Sequence, residues 1–287
     1  MPPPGPIHVI GASGRSGAAL CRSLLADGVP FVPVVRSAER WAATGLPGMP
    51  RVADLAGAGL AGALRGAGQV VSCAHARHIP AILAASSAGQ HVFLGSTRKY
   101  TRWPDEHGNG VLAGEAVFMA AGRHGALLHP TMIYGAAGED NVRRLAALLR
   151  WLPIVPLPGG GRALVQPVYQ GDVTRSLRAA LARDWDGPHA LVLSGPAPVT
   201  YADFVRAVAE AAGLPPPRIV PVPSALLRAL LPLTALPGLP RIRGAELRRL
   251  LEDKAFPSEG MERMLGVTPI PLAQGLRLTF GAPPCPS

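Results

Sequence analysis

The feature that most constrains this chain lies near its start. Val9-Ile10 runs straight into Gly11-Ala12-Ser13-Gly14-Arg15-Ser16-Gly17-Ala18, an apolar strand leading through three glycines into a helix-forming stretch. In this G-x-x-G-x-x-G spacing the first glycine permits a tight turn and the second lets bare backbone approach an anion. The third lets the helix pack close to the strand, with its N-terminal amides facing that anion. A glycine-rich turn on its own can be purely structural. Between the first strand and first helix of a repeating strand–helix pattern, it marks a pyrophosphate loop.

That pattern is present. Short β-branched runs at Ile7–Ile10, Phe31–Val35, Gln69–Cys73, His91–Leu94 and Ala126–His129 alternate with Ala/Leu-rich stretches at Ser16–Asp27, Ile79–Ala88 and Gly114–Arg123. The alternation predicts an α/β fold, a doubly wound parallel sheet of the Rossmann type with a smaller C-terminal substrate lobe. Beyond Arg150 the texture changes, and Pro153, Pro156 and Pro158 leading into Gly159-Gly160-Gly161 read as a loop. An extended stretch at Ala163–Val168, a helix opening at Asp172, a strand near Ala190–Leu193 and a helix Tyr201–Ala212 capped by Thr200 are expected to follow. The expected division is a dinucleotide-binding domain, 1–195, with loop 152–161 contributing to the substrate side, and a proline-punctuated substrate lobe, 196–287.

Composition removes several other classes. With 287 residues, 48% hydrophobic and 16% charged, the chain can bury a full core and is too apolar to be disordered. Cys21, Cys73 and Cys285 are odd in number and far apart, which suits neither a disulfide framework nor a zinc site, and no metal is expected. Met1-Pro2-Pro3-Pro4-Gly5-Pro6 lacks the basic and apolar regions of a signal peptide, and the apolar stretch Ala225–Leu239 is broken by Arg228, Pro232 and Pro237. The expectation is a cytoplasmic protein without a membrane span. The net charge of +10 is nearly all arginine, scattered in groups such as Arg143-Arg144 and Arg248-Arg249 without interleaved aromatics, which disfavours nucleic acid as a partner. A small-molecule substrate is expected instead.

The second strand bears on the cofactor. An NAD site places an acid at its end for the ribose 2′-hydroxyl, whereas an NADP site supplies arginine for the 2′-phosphate. Here the strand ends Val34-Val35-Arg36-Ser37, and Arg15 stands inside the glycine loop. Two guanidinium groups could converge on one phosphate, which favours NADP(H). The alternative is that both are solvated surface arginines.

The glycine loop, the Asp54-Leu55 pair, His129-Pro130-Thr131-Met132-Ile133-Tyr134-Gly135 and Gln166-Pro167-Val168-Tyr169-Gln170-Gly171-Asp172-Val173 occur in the order seen in extended and atypical short-chain dehydrogenase/reductases. The chain most resembles the branch containing the complex I 39-kDa subunit and bacterial NAD(P)-binding or sugar-nucleotide-epimerase-like proteins, through to Leu265-Gly266-Val267-Thr268-Pro269. The resemblance implies a cofactor set of Gly11, Ser13, Gly14, Arg15, Gly17, Arg36, Ser37, Asp54, Leu55, Ala74 and Pro130, with Asp54-Leu55 by the adenine. It specifies no substrate.

Enzymes of this superfamily usually work with a tyrosine and a lysine four residues later, the lysine lowering the phenol's pKa. The resemblance puts His107 and Val111 at those two positions, just before Glu115, and no Tyr-x-x-x-Lys occurs anywhere. The serine-bearing strand end is better kept, as Gly95-Ser96-Thr97-Arg98-Lys99-Tyr100. Ser96 or Thr97 could bind a substrate oxygen, and Tyr100 could act as acid with Lys99 or Arg98 supplying charge. Neighbours in an extended segment point to opposite sides, so sequence does not place Lys99 at the Tyr100 hydroxyl. His75, His78 and His107 are alternative acid–base groups.

The catalytic candidates are therefore Ser96, Tyr100 and His107. The favoured reading is an NADPH-dependent reductase of a small carbonyl or enone compound, made hydrophobic by the leucines of the lobe (Leu226, Leu227, Leu230, Leu231, Leu233, Leu236). The alternatives are an NADPH-binding sensor or assembly protein without turnover, and a non-redox epimerase or cyclase on the same scaffold.

Overall fold

A computed structural model describes residues 5–135, 141–152, 154–223 and 251–281. The first six strands are β1 (Ile7–Ile10), β2 (Phe31–Val35), β3 (Arg51–Val52), β4 (Gln69–Ser72), β5 (Gln90–Leu94) and β6 (Gly125–Pro130). There follow β7 (Ile133–Tyr134), β8 (Ile154–Pro158), β9 (Leu164–Val165), β10 (Val168–Tyr169), β11 (Pro188–Leu193), β12 (Val199–Thr200) and β13 (Arg218–Val222). Seven of these form one sheet in the order β11-β6-β5-β4-β1-β2-β3, every neighbouring pair parallel. The order reverses between β1 and β4. In an open parallel sheet this switch point leaves a crevice at the carboxyl ends of the strands, where ligands bind.

The helices are α1 (Arg15–Ala26), α2 (Ala38–Ala42), α3 (Leu60–Ala63), α4 (Ile79–Ala85), α5 (Glu106–Ala120), α6 (Asn141–Leu149), α7 (Gln170–Ala182), α8 (Tyr201–Ala211), α9 (Glu259–Leu265) and α10 (Leu272–Phe280). Each central strand feeds two cores, because successive side chains leave opposite faces. Val9, Val71, Val92 and Leu128 join Leu20 and Leu24 of α1 and Leu177 of α7. Their neighbours Ile10, Val70, Phe93 and Leu127 join Ile82 of α4 and Val111 and Phe118 of α5. Burial on both faces explains why these strands read as continuous apolar runs.

A second layer is built from segments far apart in sequence. β8 pairs with β13, β9 with β12 and β10 with β7, while Val142, Ala146, Phe204, Val208 and Leu276 bring α6, α8 and α10 together around Tyr134. The proline-rich stretch expected as a loop is therefore largely strand, with Pro156 opposite Val220. A two-stranded ribbon leaves each strand an open edge, which tolerates residues without an N–H.

α5 also departs from expectation, beginning at Glu106 rather than Gly114. Asp105 caps it, its carboxylate accepting from Gly108 N at 2.8 Å. Gly108, Gly110 and Gly114 disguised the helix, yet each sits where backbone or ring approaches closely. A Cβ on Gly114 would collide with Ala76 O, and one on Gly110 would lie 2.9 Å from His75 Cε1. Among the described residues no helix is long and apolar enough to cross a membrane. The leucines invoked for a hydrophobic substrate, Leu226 to Leu236, lie outside the described residues.

Candidate functional site

At the switch point lies a cleft of about 290 Å³. The loop after β1 lines it with Gly11, Ser13 and Gly14, the end of β2 with Arg36, and the segment after β3 with Asp54 and Leu55. Cys73, Ala74, His75 and His78 come from beyond β4, and Arg40 from α2. Gly11 has φ of 72°, a conformation that favours glycine, and its N–H reaches Val34 O at 3.0 Å. Behind it, Gly17 is buried where a Cβ would strike Gly11 O, so the helix comes as close as the third glycine allows. No side chain caps α1, whose N-cap is Gly14. Uncapped first-turn amides beside a glycine turn suit a phosphate group.

Seven of the eleven residues expected to hold a cofactor thus line one cleft: Gly11, Ser13, Gly14, Arg36, Asp54, Leu55 and Ala74. Gly17 supports the loop from behind. The other three do not line it. Arg15 is exposed on the first turn of α1, and Pro130 offers its carbonyl to Thr97 Oγ1 at 3.2 Å. Ser37 caps α2, accepting from Arg40 N at 3.2 Å while donating to Glu39 at 2.6 Å. Arg40 is a lining residue that the sequence reading missed. The missed signal was Ser37 itself, a cap that starts a helix at once and turns the residue three positions on towards the β2 end.

The second cluster lies after β5. Ser96 accepts from Arg98 N at 3.2 Å and starts a short 3₁₀ turn, Thr97–Tyr100. Ser96 N donates to His129 Nδ1 at 3.3 Å, which with the Thr97–Pro130 bond ties the end of β5 to the end of β6. Tyr100 is 53% exposed and its ring packs 5.6 Å from that of Phe256. Both neighbouring cations are engaged by carboxylates: Arg98 bonds Asp105 from two nitrogens, and Lys99 pairs with Glu115 of α5. Lys99 Nζ lies 4.7 Å from the centre of the Tyr100 ring, over its face.

His107, on the first turn of α5, meets His75 edge-on with ring centres 4.3 Å apart. Burial first, then the nearby charge of His107, holds His75 below the usual histidine range, and His75 Nδ1 accepts from Arg77 N at 3.0 Å. His78 is lowered by burial and then by Arg77, with Asp54 opposing. Val111 is buried in the α4/α5 core and carries no proton-transfer group. Cys73 lines the cleft, but burial pushes its thiol up to about 12, which makes it a poor nucleophile. Among the described residues no group of three or more histidines, cysteines or acids could hold a metal.

No protein-family model matches the sequence, and no curated protein is close enough to count as a relative. Solved structures do match over nearly the whole chain. A triphenylmethane reductase from Citrobacter superposes with a TM-score of 0.74 at 16% identity, covering 96% of this chain and 99% of its own. An NADPH-dependent quinone oxidoreductase from Escherichia coli, solved with NADPH, gives 0.72 at 17% identity, with 94% and 98% covered. MoeE5, solved with UDP-glucose and NAD, gives 0.71 at 21% identity, with 96% and 98% covered. Together with the strand order and the crevice at its reversal, these similarities show that the chain shares the fold of these proteins, a doubly wound parallel sheet of the Rossmann type.

Proposed function

We propose that this protein binds a nicotinamide dinucleotide, NADP(H) in preference to NAD(H), and reduces a small hydrophobic carbonyl or enone compound. The observation that carries the cofactor assignment is the pairing of an uncapped helix over a glycine turn with two guanidinium groups in the same cleft. Among the described residues Arg36 and Arg40 have no side-chain partner of their own. In this reading Gly11, Ser13, Gly14 and the α1 amides hold the pyrophosphate, and Arg36 and Arg40 hold a 2′-phosphate. Asp54 and Leu55 flank the adenine, and Ala74 lies towards the nicotinamide. When bound, the cofactor supplies a hydride.

The remaining work falls to the turn after β5. Ser96 Oγ accepts from Arg98 N, which leaves its own hydroxyl proton for a substrate oxygen. Tyr100, the exposed phenol of that turn, supplies the proton. The lobe 196–287 and segment 152–161 provide the substrate side. Reductase activity in two of the structural neighbours supports this assignment. The engagement of both Arg98 and Lys99 by carboxylates favours a second reading, a sensor that binds NADPH without turnover.

A screen of carbonyl and enone compounds for NADPH oxidation separates the two. Tyr100→Phe is expected to lower kcat by about 10²–10⁴-fold with NADPH affinity unchanged. A harmless Tyr100→Phe with a crippling His107→Ala would move the proton-donor role to the histidine. Tight NADPH binding with no turnover of any compound would establish the sensor.

A further inference from the structure

Beneath the Ser96–Tyr100 turn lies a chain of ionisable side chains that the proposed reaction does not use. The Lys99 side chain is only 5% exposed, Glu115 20% and His129 1%. The ammonium of Lys99 pairs with Glu115, and His129 Nε2 lies 3.1 Å from the same carboxylate oxygen. A buried ion pair contributes little net stability compared with apolar side chains of the same volume. Its geometry is therefore informative.

Two arms leave Glu115. One runs through Lys99 to the face of the Tyr100 ring, 4.7 Å from its centre. The other runs through His129, whose Nδ1 accepts from Ser96 N at 3.3 Å. The preceding residue is glycine because a Cβ on Gly95 would collide with the His129 ring. With Nδ1 taken by a donor, the imidazole proton is assigned to Nε2, which lies 3.1 Å from the Glu115 oxygen without hydrogen-bond geometry. Burial, reinforced by the charge of Lys99 and opposed by Glu115, holds His129 down at about 4, so it is neutral at physiological pH.

We propose that Lys99 is a positioning residue, which, anchored on Glu115, fixes the Tyr100 ring while His129 fixes the Ser96 main chain. This rests on reading Ser96 and Tyr100 as the reacting pair. The network also has a reserve built into it. Without the charge of Lys99, the buried carboxylate is left with His129 as its nearest titratable neighbour. A proton on both imidazole nitrogens would satisfy Glu115 but break the Ser96 N–H bond. Loss of Lys99 therefore disturbs both arms.

The test uses the full chain labelled in its histidine, tyrosine and serine residues and followed by NMR. In the wild type His129 should stay neutral above about pH 5. In Lys99→Met its titration midpoint should rise by about one pH unit, since burial, the larger cause, remains, with the Ser96 amide and Tyr100 ring resonances shifted. Lys99→Arg, which keeps the charge, should restore most of the wild-type pattern. Glu115→Gln provides a second route, releasing Lys99 and shifting the Tyr100 ring while His129 stays neutral. In turnover, where a substrate is found, Lys99→Met should lower kcat by about 10–100-fold without changing the KM for NADPH. An unmoved His129 midpoint in Lys99→Met, or Tyr100 resonances indifferent to both Lys99→Met and Glu115→Gln, would overturn the proposal. The spectroscopic readout needs no substrate, so it is decided separately from the reductase reading, which stands or falls on turnover and on Tyr100→Phe.

Discussion

Removing the guanidinium of Arg36 or Arg40 should separate NADPH from NADH, because the two cofactors differ only in the 2′-phosphate. Both arginines line the cleft, and neither forms an ion pair among the described residues; the nearby Glu39 accepts the Ser37 hydroxyl instead. A guanidinium at contact distance from a phosphate interacts by about 1–4 kcal/mol at effective dielectric constants between water and a protein surface. Both arginines are exposed, and screening over a Debye length of about 8 Å at physiological salt moves each contribution towards the lower end. About 1–1.4 kcal/mol each corresponds to roughly a 5–10-fold loss of NADPH affinity for Arg36→Ala or Arg40→Ala. The double variant should lose more than either alone, without strict additivity, because both groups share one phosphate.

NADH affinity should change less than about twofold in all three variants. Arg15→Ala, outside the lining of the cleft, should leave the ratio between the cofactors unchanged. Calorimetric or fluorescence titration with NADPH, NADH and 2′,5′-ADP measures this, and raising the salt should erode the NADPH preference first. A double Arg36→Ala/Arg40→Ala variant that keeps the wild-type NADPH-to-NADH ratio would refute the assignment of this end of the cleft.

Packing sets two further outcomes, and burial a third. Gly14→Ala places its Cβ 3.1 Å from Gly11 O at an ordinary negative φ, so the fold should survive by thermal melting while cofactor affinity falls more than about tenfold. Gly17→Ala drives a Cβ into Gly11 O and should cost about 2–4 kcal/mol in denaturant unfolding as well as cofactor affinity. Acid should also weaken the fold through His91, which is held at about 4, against 6.5 when free, by burial and then by Arg123. The unfolded chain binds this proton more tightly, so the contribution is complete above about pH 6.5 and is lost as pH falls towards 4. Between pH 7 and 5 it amounts to about 2 kcal/mol, and urea unfolding of His91→Leu at the two values should show a pH dependence smaller by that amount.

The parts of the molecule legible in sequence were those whose cause is local. β1 and β2 have the expected bounds because runs such as Phe31–Val35 are apolar throughout, and the glycine loop announces its own turn, strand and helix. The unread parts depend on distant partners. β8 becomes a strand only because β13 lies beside it, and α5 is a helix despite its glycines because other backbone needs the space. In the site, Gly11, Gly14 and Arg36 were visible from spacing, whereas Arg40 needed the five-residue α2 to turn it into the cleft. Lys99 or Arg98 was expected to supply positive charge to Tyr100. No local pattern revealed that Lys99 would pair with Glu115, or that Glu115 would also lie beside His129, on a helix and a strand that follow.

The glycines of α5 have a consequence for how the site opens. Three glycines within one helix forgo about 1 kcal/mol each relative to alanine, so α5 persists because turns 76–78 and 97–100 lie against it. The dependence runs both ways: Asp105 caps the helix while bonding Arg98, and Glu115 anchors Lys99. Fraying of α5 therefore removes the His75–His107 contact and the support of Ser96 and Tyr100 in one step, which makes these segments a single cooperative unit in local unfolding. Whatever binds against His75 in the cleft consequently raises the cost of opening that whole unit, and amides in the 97–100 turn should become slower to exchange although the ligand does not touch them.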